Sequence, residues 1–351
     1  MSRMSRMSRM PHPYLRSFTG LQSLTSPGLL ALAAALLALL GALPVQAQSS
    51  ANWPNRPVRM IVAFPPGGSA DFTARTMANG LQQQLGQPVV IENRPGANGV
   101  PGTEAVARAA PDGYTILMTD RGALGINPAI YAKLPYDPLR DFAHIGIATY
   151  GAYLLVANRD FPVQNFADFL RMAREKPGEI NYASIGIGSI TQLSFESLAA
   201  RFNIRLNHVP YKGSAPASAA TVAGETQVTM STFNAVLGHI KDGRLRALAL
   251  GAAKRSPLFP DVPSIVELGA AADTIAPGFF SLSAPAGTPP AIVNRLSEEA
   301  AYVLKSQDVS ERLARAGLEA HGGSPQELSD TVRTDMVRFT KIVRDIGIKP
   351  E

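Results

Sequence analysis

Two stretches of this chain set a glycine-rich turn between an apolar run and a helical pattern. They are Phe64-Pro-Pro-Gly-Gly-Ser-Ala-Asp71 and Ile185-Gly-Ile-Gly-Ser-Ile-Thr191. Each has the makings of an anion cradle. A helix start leaves backbone N–H groups without intrahelical partners and carries the positive end of the macrodipole, and glycine lets an acceptor approach closely. One such turn in each half of the chain points to a ligand held between two domains. Most of the residues concerned carry a second reading. Gly67 and Gly68 also suit a tight strand-to-helix turn; Ser69, Ser189 and Thr191 are either helix caps or hydroxyl donors to a ligand. Phe64 is either the last core residue of its strand or an apolar cleft wall. Asp71 would repel an anion unless it caps from behind or receives a ligand ammonium.

Other familiar chemistry is missing. The five histidines (His12, His144, His208, His239, His321) are scattered, with no HExxH spacing. There is no G-x-S-x-G elbow and no G-x-x-x-x-G-K-[ST] loop. Gly186-Ile-Gly188 begins like a dinucleotide fingerprint, but Thr191 stands where its third glycine would be. The absence of cysteine excludes disulfides, thiol chemistry and cysteine-ligated metal. No cofactor and no metal are expected.

The elements that must position the turns alternate. Val58 to Phe64 reads as a buried strand, followed by Ala74, Ala78, Leu81 and Leu85 at helical spacing up to Gly86. Strands at Val89 to Glu92 and Tyr114 to Thr119 flank a helix through Glu104. After an apolar segment from Ile145 to Ala157 the same order restarts: strand Ile180 to Ser184, helix through Phe195 and Phe202, strand at His208, helix Pro216 to Val222, strand Thr226 to Met230, helix Ala235 to Lys241, strand Leu245 to Leu250. This succession predicts an α/β fold of two doubly wound domains with parallel strands. Extended Phe279 to Ala284 then leads into helices, the last opened by the capping box Ser324-Pro-Gln-Glu327, with Leu328, Val332, Met336, Phe339 and Val343 as its inner stripe. The shortest topology returns this tail to the first domain. Domain 1 is therefore expected at 53–150 plus 278–351 and domain 2 at 151–277, with crossings near 148–156 and 277–284 forming a two-strand hinge.

The N-terminus reads as a secretory signal peptide over residues 1–47: arginines 3, 6, 9 and 16, an apolar run from Gly28 to Leu43, then Val45 and Ala47 at the small-residue positions. The run is short for a membrane span. Its removal takes four arginines and no acids, so the formal charge falls from +6 to +2. The remaining charges are interspersed, which argues against nucleic acid as a partner.

Several motifs in order carry a family likeness: Val89-Val-Ile-Glu-Asn-Arg-Pro-Gly-Ala-Asn-Gly99, Pro111-Asp-Gly-Tyr114, Ile126-Asn-Pro128, His208-Val-Pro-Tyr-Lys-Gly213, Ile240-Lys-Asp-Gly-Arg-Leu-Arg-Ala-Leu-Ala249, Phe259-Pro-Asp-Val-Pro263 and Ala284-Pro-Ala-Gly-Thr-Pro289. From Trp53 to Lys349 the chain closely resembles the Bug receptors, the TctC-like periplasmic solute-binding proteins of tripartite tricarboxylate transport systems. The resemblance implies a type II periplasmic-binding-protein, Venus-flytrap architecture, a small carboxylate ligand (an organic acid or amino acid), a membrane permease as partner, a periplasmic location and no enzymatic activity. A monomer is expected. In this family the first loop grips one carboxylate, matched here by Phe64, Gly67, Gly68, Ser69, Ala70 and Asp71. The second domain closes with the loop matched by Gly188, Ser189, Ile190 and Thr191. Tyr211, Lys212, Gly213 and Ser231 are expected to face the same cleft, with Asn234 beyond them, whereas Asn93 to Gly99 reads as architectural. Gln192-Leu193 departs from the His-Leu that many members carry. Arg121 stands where a strand end reaches the cleft mouth, and is either the partner of a second ligand carboxylate or simply exposed. A sensory receptor and a small-acid enzyme using Tyr211, Lys212 or Asp71 are the rival readings.

Overall fold

In the computed structural model, residues 52–348 apart from Asp273 are described; the proposed signal peptide lies outside them. Two mixed α/β sheets organise the chain. The first carries β1 (Val58–Val62), β2 (Val89–Asn93), β3 (Thr115–Asp120), β4 (Phe142–Gly151), β10 (Gly278–Pro285) and β11 (Leu318–Ala320), in the order β11-β4-β10-β3-β1-β2. The second carries β5 (Tyr153–Asn158), β6 (Asn181–Ser184), β7 (Asn207–Pro210), β8 (Val228–Thr232) and β9 (Leu245–Gly251), in the order β7-β6-β8-β5-β9.

The expected parallel pairing holds for part of each sheet. β1 pairs in parallel with β2 and β3, and β6 with β7 and β8. The strands at the crossings run the other way: β10 is antiparallel to β3 and β4, and β5 to β8 and β9. These are the strands by which the chain changes sheets: β4 passes to β5 of the second sheet through Ala152 alone, and β10 follows β9 back to the first. The crossings lie side by side, with Gly151 of β4 paired to Gly278 of β10.

Helices α1 (Ser69–Leu85) and α2 (Val100–Ala107), a short α3 (Asn127–Ile130), and α8 (Pro290–Lys305) and α9 (Gln307–Arg315) flank the first sheet. α4 (Phe166–Glu175), α5 (Ile190–Phe202), α6 (Ser214–Ala223) and α7 (Phe233–Lys241) flank the second. α4 is absent from the expected strand–helix succession, although Phe166, Phe169 and Ala173 are buried along one face and Asn165 caps it by accepting from the Asp168 N–H at 2.9 Å.

The last helix, α10 (Pro325–Asp345), departs from expectation. Ser324 caps it as its motif requires, accepting from the Glu327 N–H at 3.1 Å, but the Glu327 carboxylate turns to His321 (2.7 Å). Its inner stripe then splits. Leu328 and Val332 pack with Leu124, Ile147 and Phe279 on the first sheet. Phe339 and Val343 belong to the core of the second sheet, with Tyr182, Phe195 and Leu198, and Ile126 and Ile130 join them there. The tail thus lies on both sheets rather than returning wholly to the first.

Candidate functional site at the facing strand ends

The carboxyl ends of β1, β2 and β3 face those of β6, β7 and β8 across a seam, the place where open α/β sheets hold ligands. On the first side, the β1 turn depends on Gly67, whose φ of +80° is disfavoured for residues with a Cβ, and Gly68 caps α1 in an extended conformation (φ −75°, ψ 171°). The N–H groups of Ser69 and Ala70 open the 17-residue α1 and, by position, have no intrahelical acceptor. The Ala70 side chain enters the core, so only its backbone serves the seam. Phe64 is half-buried, packed against Gly99 and the core.

Asp71 resolves its two readings here. Its carboxylate turns behind the loop, accepting from the Gly67 N–H (2.9 Å), Arg75 Nε (3.0 Å) and Asn93 Nδ2 (2.9 Å), while Asn93 also donates to the Phe64 carbonyl. Burial pushes its pKa up, but the bonds from Arg75, Gly67 and Asn93 outweigh this and hold it below the ordinary carboxylate value. A carboxyl depressed in the folded state stabilises above its unfolded pKa, and that contribution is lost as pH falls through the folded one. The melting-temperature gap between wild type and Asp71→Asn should therefore be present at neutral pH and shrink as pH drops below the ordinary carboxylate range. A gap that stays constant through acid titration would contradict this role.

On the second side the loop of the expected cradle is held by its own side chains, while the Ile190 and Thr191 N–H groups that open α5 have, by position, no intrahelical acceptor. Thr191 Oγ1 accepts from the Ile185 N–H (3.0 Å), Ser184 Oγ from Gly186 (3.2 Å) and Gln192 Oε1 from Gly188 (2.6 Å), and the Ser189 N–H turns back to the Gly186 carbonyl (3.2 Å). Ser189 caps α5, accepting from the Gln192 N–H at 3.4 Å, and its hydroxyl lies 3.1 Å from Thr191 Oγ1. The Ile190 side chain lies in the core. Behind the loop, Ser184 bonds His208 Nε2 at 2.6 Å; burial lowers the His208 pKa to about 4, so the ring adds no charge at neutral pH.

The two sides touch. Ser69 Oγ lies 2.6 Å from Asn234 Oδ1 and 3.0 Å from Thr232 Oγ1, and Asn98 Nδ2 donates to the Ile187 carbonyl at 2.6 Å. A methyl placed on Gly188 would sit 2.2 Å from Ile130 Cδ1, and Pro65 stands opposite Gly213. Lys212 is exposed beside it, while the Tyr211 hydroxyl turns to Glu225 (3.2 Å).

Two expected contacts are redirected. Arg121 is not at the cleft mouth: its guanidinium is buried, 2.8 Å from Asp335 on α10, bonded to the Pro277 carbonyl (2.5 Å) and stacked over Phe279. Its neighbour Asp120 accepts from the Ala123 N–H, and burial raises that carboxyl to about 6. Ser231 is fully buried against α6, its hydroxyl 3.0 Å from Ser218. Thr232 takes the seam instead. A strand ending at Thr232 rather than Met230 would have put it on the face of Val228 and Met230 by simple alternation. Asn98, read as architectural, is the other residue missed; its left-handed backbone (φ 50°, ψ 38°) presents the amide to the second side.

Among the described residues no group of three or more His, Cys, Asp or Glu is placed to hold a metal. A groove of about 390 Å³ beside β9, lined by Arg159, Arg246, Leu258, Phe259 and Asp261, lies away from the seam.

Two sheets linked by paired crossings, with strand-end loops meeting at a seam, define a bilobal solute-binding protein. The chain belongs to the TctC family, described as the tripartite tricarboxylate transporter family receptor, whose sequence profile matches residues 73–348. It is 36% identical over 323 residues to the protein BugT of Bordetella pertussis, covering 92% of this chain and 98% of BugT. Among solved structures it resembles an R. palustris protein with adipate (33% identity, TM-score 0.81, covering 85% of this chain and 100% of that one). It also resembles MatC from Rhodopseudomonas palustris with bound malate (31%, TM-score 0.77, 83% and 100%) and the periplasmic binding protein BugD (30%, TM-score 0.79, 85% and 100%).

Proposed function

We propose that this protein is a periplasmic receptor, without covalent chemistry of its own, that captures a small carboxylate at the seam and delivers it to a tripartite-type membrane permease. The observation that carries the reading is the first turn of α1: free N–H groups at a strand's carboxyl end, on a loop braced from behind by Asp71, facing a second set of strand-end loops. Carboxylate oxygens accept from such groups without an arginine. The adipate and malate bound by two structural relatives agree with this chemistry. The apolar N-terminal run and the periplasmic binding protein BugD among its structural relatives support export. The bodies 53–150 plus 278–351 and 151–277, with the end of α10 reaching from the first onto the second, are the lobes that close, hinged where β4 and β10 cross, and the receptor acts as a monomer.

The ligand site comprises Phe64, Gly67, Gly68, Ser69 and Ala70 on the first lobe and Gly188, Ser189, Thr191, Lys212, Gly213 and Asn234 on the second, with Thr232 added. A thermal-shift panel tests the reading, since a ligand that binds only the folded state stabilises it by mass action. Dicarboxylates such as adipate and malate should raise the melting temperature by several degrees at saturating concentration, and their uncharged amides should not. A panel in which only uncharged solutes stabilise the protein would overturn the carboxylate assignment.

A further inference from the structure

The Ser69 contacts with Thr232 and Asn234 engage groups assigned to the ligand site; the contact made by Asn98 does not. Asn98 Nδ2 donates to the Ile187 carbonyl at 2.6 Å, from the first lobe to the second. The bond runs from protein to protein, so it needs no ligand atom. Both ends are shaped for it. The Asn98 backbone is left-handed (φ 50°, ψ 38°), a conformation that asparagine tolerates better than most residues. Its carbonyl accepts from Asn127 Nδ2 (3.1 Å), which also donates to the Tyr136 hydroxyl (2.9 Å), and that hydroxyl donates to the Ala123 carbonyl (2.7 Å). Asn127 and Tyr136 are buried, so Asn98 is held from behind by a chain of bonds shielded from water. Opposite, Gly186 (φ +145°) leaves the amide its room: a methyl there would sit 2.9 Å from Asn98 Oδ1.

We infer that Asn98 is a clasp: a positioning residue that holds the two lobes together directly, so that part of the protein is closed before a ligand arrives. The inference rests on the proposed receptor reading of the seam and adds to it that closure is not left to the ligand alone. A ligand that binds only the closed form has an apparent affinity proportional to the fraction of protein already closed. By favouring that form, Asn98 raises the affinity for every ligand by the same factor. It selects none of them.

Distances between spin labels on the two lobes test this, and the chain has no cysteine of its own to interfere. Labels attached at Gln83→Cys on α1 and Glu175→Cys on α4, both exposed positions, report the closed fraction by double electron–electron resonance without any ligand. Asn98→Gly removes the amide and keeps the left-handed backbone; Asn98→Asp keeps the shape and turns an acceptor toward the carbonyl. In both, the ratio of closed to open protein should fall by about three- to tenfold. Isothermal titration with adipate and malate should then show both affinities weakened by one common factor, equal to the fall in the closed fraction. A wild type that is wholly open without ligand, or variants whose closed fraction equals that of wild type, would overturn the inference, as would a fall with no loss of affinity. Unequal losses for the two acids overturn it too, since they make Asn98 a ligand contact. If wild type binds neither acid, the carboxylate reading fails, and the label distances alone decide the clasp.

Discussion

Asp335→Ala is expected to lower the stability of the protein by about 3–5 kcal/mol, read as a shift of the urea midpoint at unchanged slope. Asp335 and Arg121 face each other at 2.8 Å with side chains 5% and 9% exposed. Burial raises the Asp335 carboxyl above its ordinary value against the lowering pull of Arg121 and Arg338. The two truncations are unequal. Removing Arg121 leaves a carboxyl that can take up a proton, whereas removing Asp335 leaves a buried guanidinium, which cannot shed its charge. The Pro277 carbonyl and the Phe279 ring soften that loss without cancelling it. Arg121→Met should therefore cost less than Asp335→Ala, and the double variant Arg121→Met, Asp335→Leu should recover most of the stability, because a packed apolar pair escapes the desolvation of two charges. An Asp335→Ala protein within 1 kcal/mol of wild type, taking about 1 kcal/mol as the value of a surface pair, would show that this pair is solvated.

Ser69→Pro should weaken carboxylate binding by about a hundredfold, with the fold intact. Proline is well tolerated at the first helical position, where its missing N–H has no intrahelical role, and the residue before it must be extended. Gly68 is extended, with φ −75° and ψ 171°. The substitution thus removes one proposed ligand donor while α1 keeps its own hydrogen bonds. It also removes the hydroxyl that meets Thr232 and Asn234, so Ser69→Ala is the matched control. Ser69→Ala should change affinity only a few-fold, and the difference between the variants reports the N–H. Equal titration curves for the two, at equal helical content by circular dichroism, would remove the carboxylate from the start of α1.

How much of this could be read from the residues follows from the range of the interactions. The turn at Gly67 and Gly68, the αL end of α1 at Gly86 and the cap at Ser324 are decided within a few residues, and each stands where its motif puts it. The two-sheet division follows from the repeated strand–helix succession. Arg121 was misplaced because its partner lies on the last helix, and no local pattern links them. Ser231 and Thr232 exchanged roles because a strand end drawn two residues short hides which side chain reaches the seam. The N–H groups of Ile185, Gly186 and Gly188 in the second loop looked free because glycines announce exposed N–H groups, while the Ser184, Thr191 and Gln192 side chains that hold them are visible only as tertiary geometry.

The split stripe of α10 also bears on how stability is shared between the halves. Leu328 and Val332 complete packing on the first sheet, and Phe339 and Val343 complete the core of the second. All four sit on one helix that follows every strand of both sheets. A chain that lacks them holds two unfinished cores. The helix therefore couples the stability of the two halves, since losing its packing on one opens the other as well.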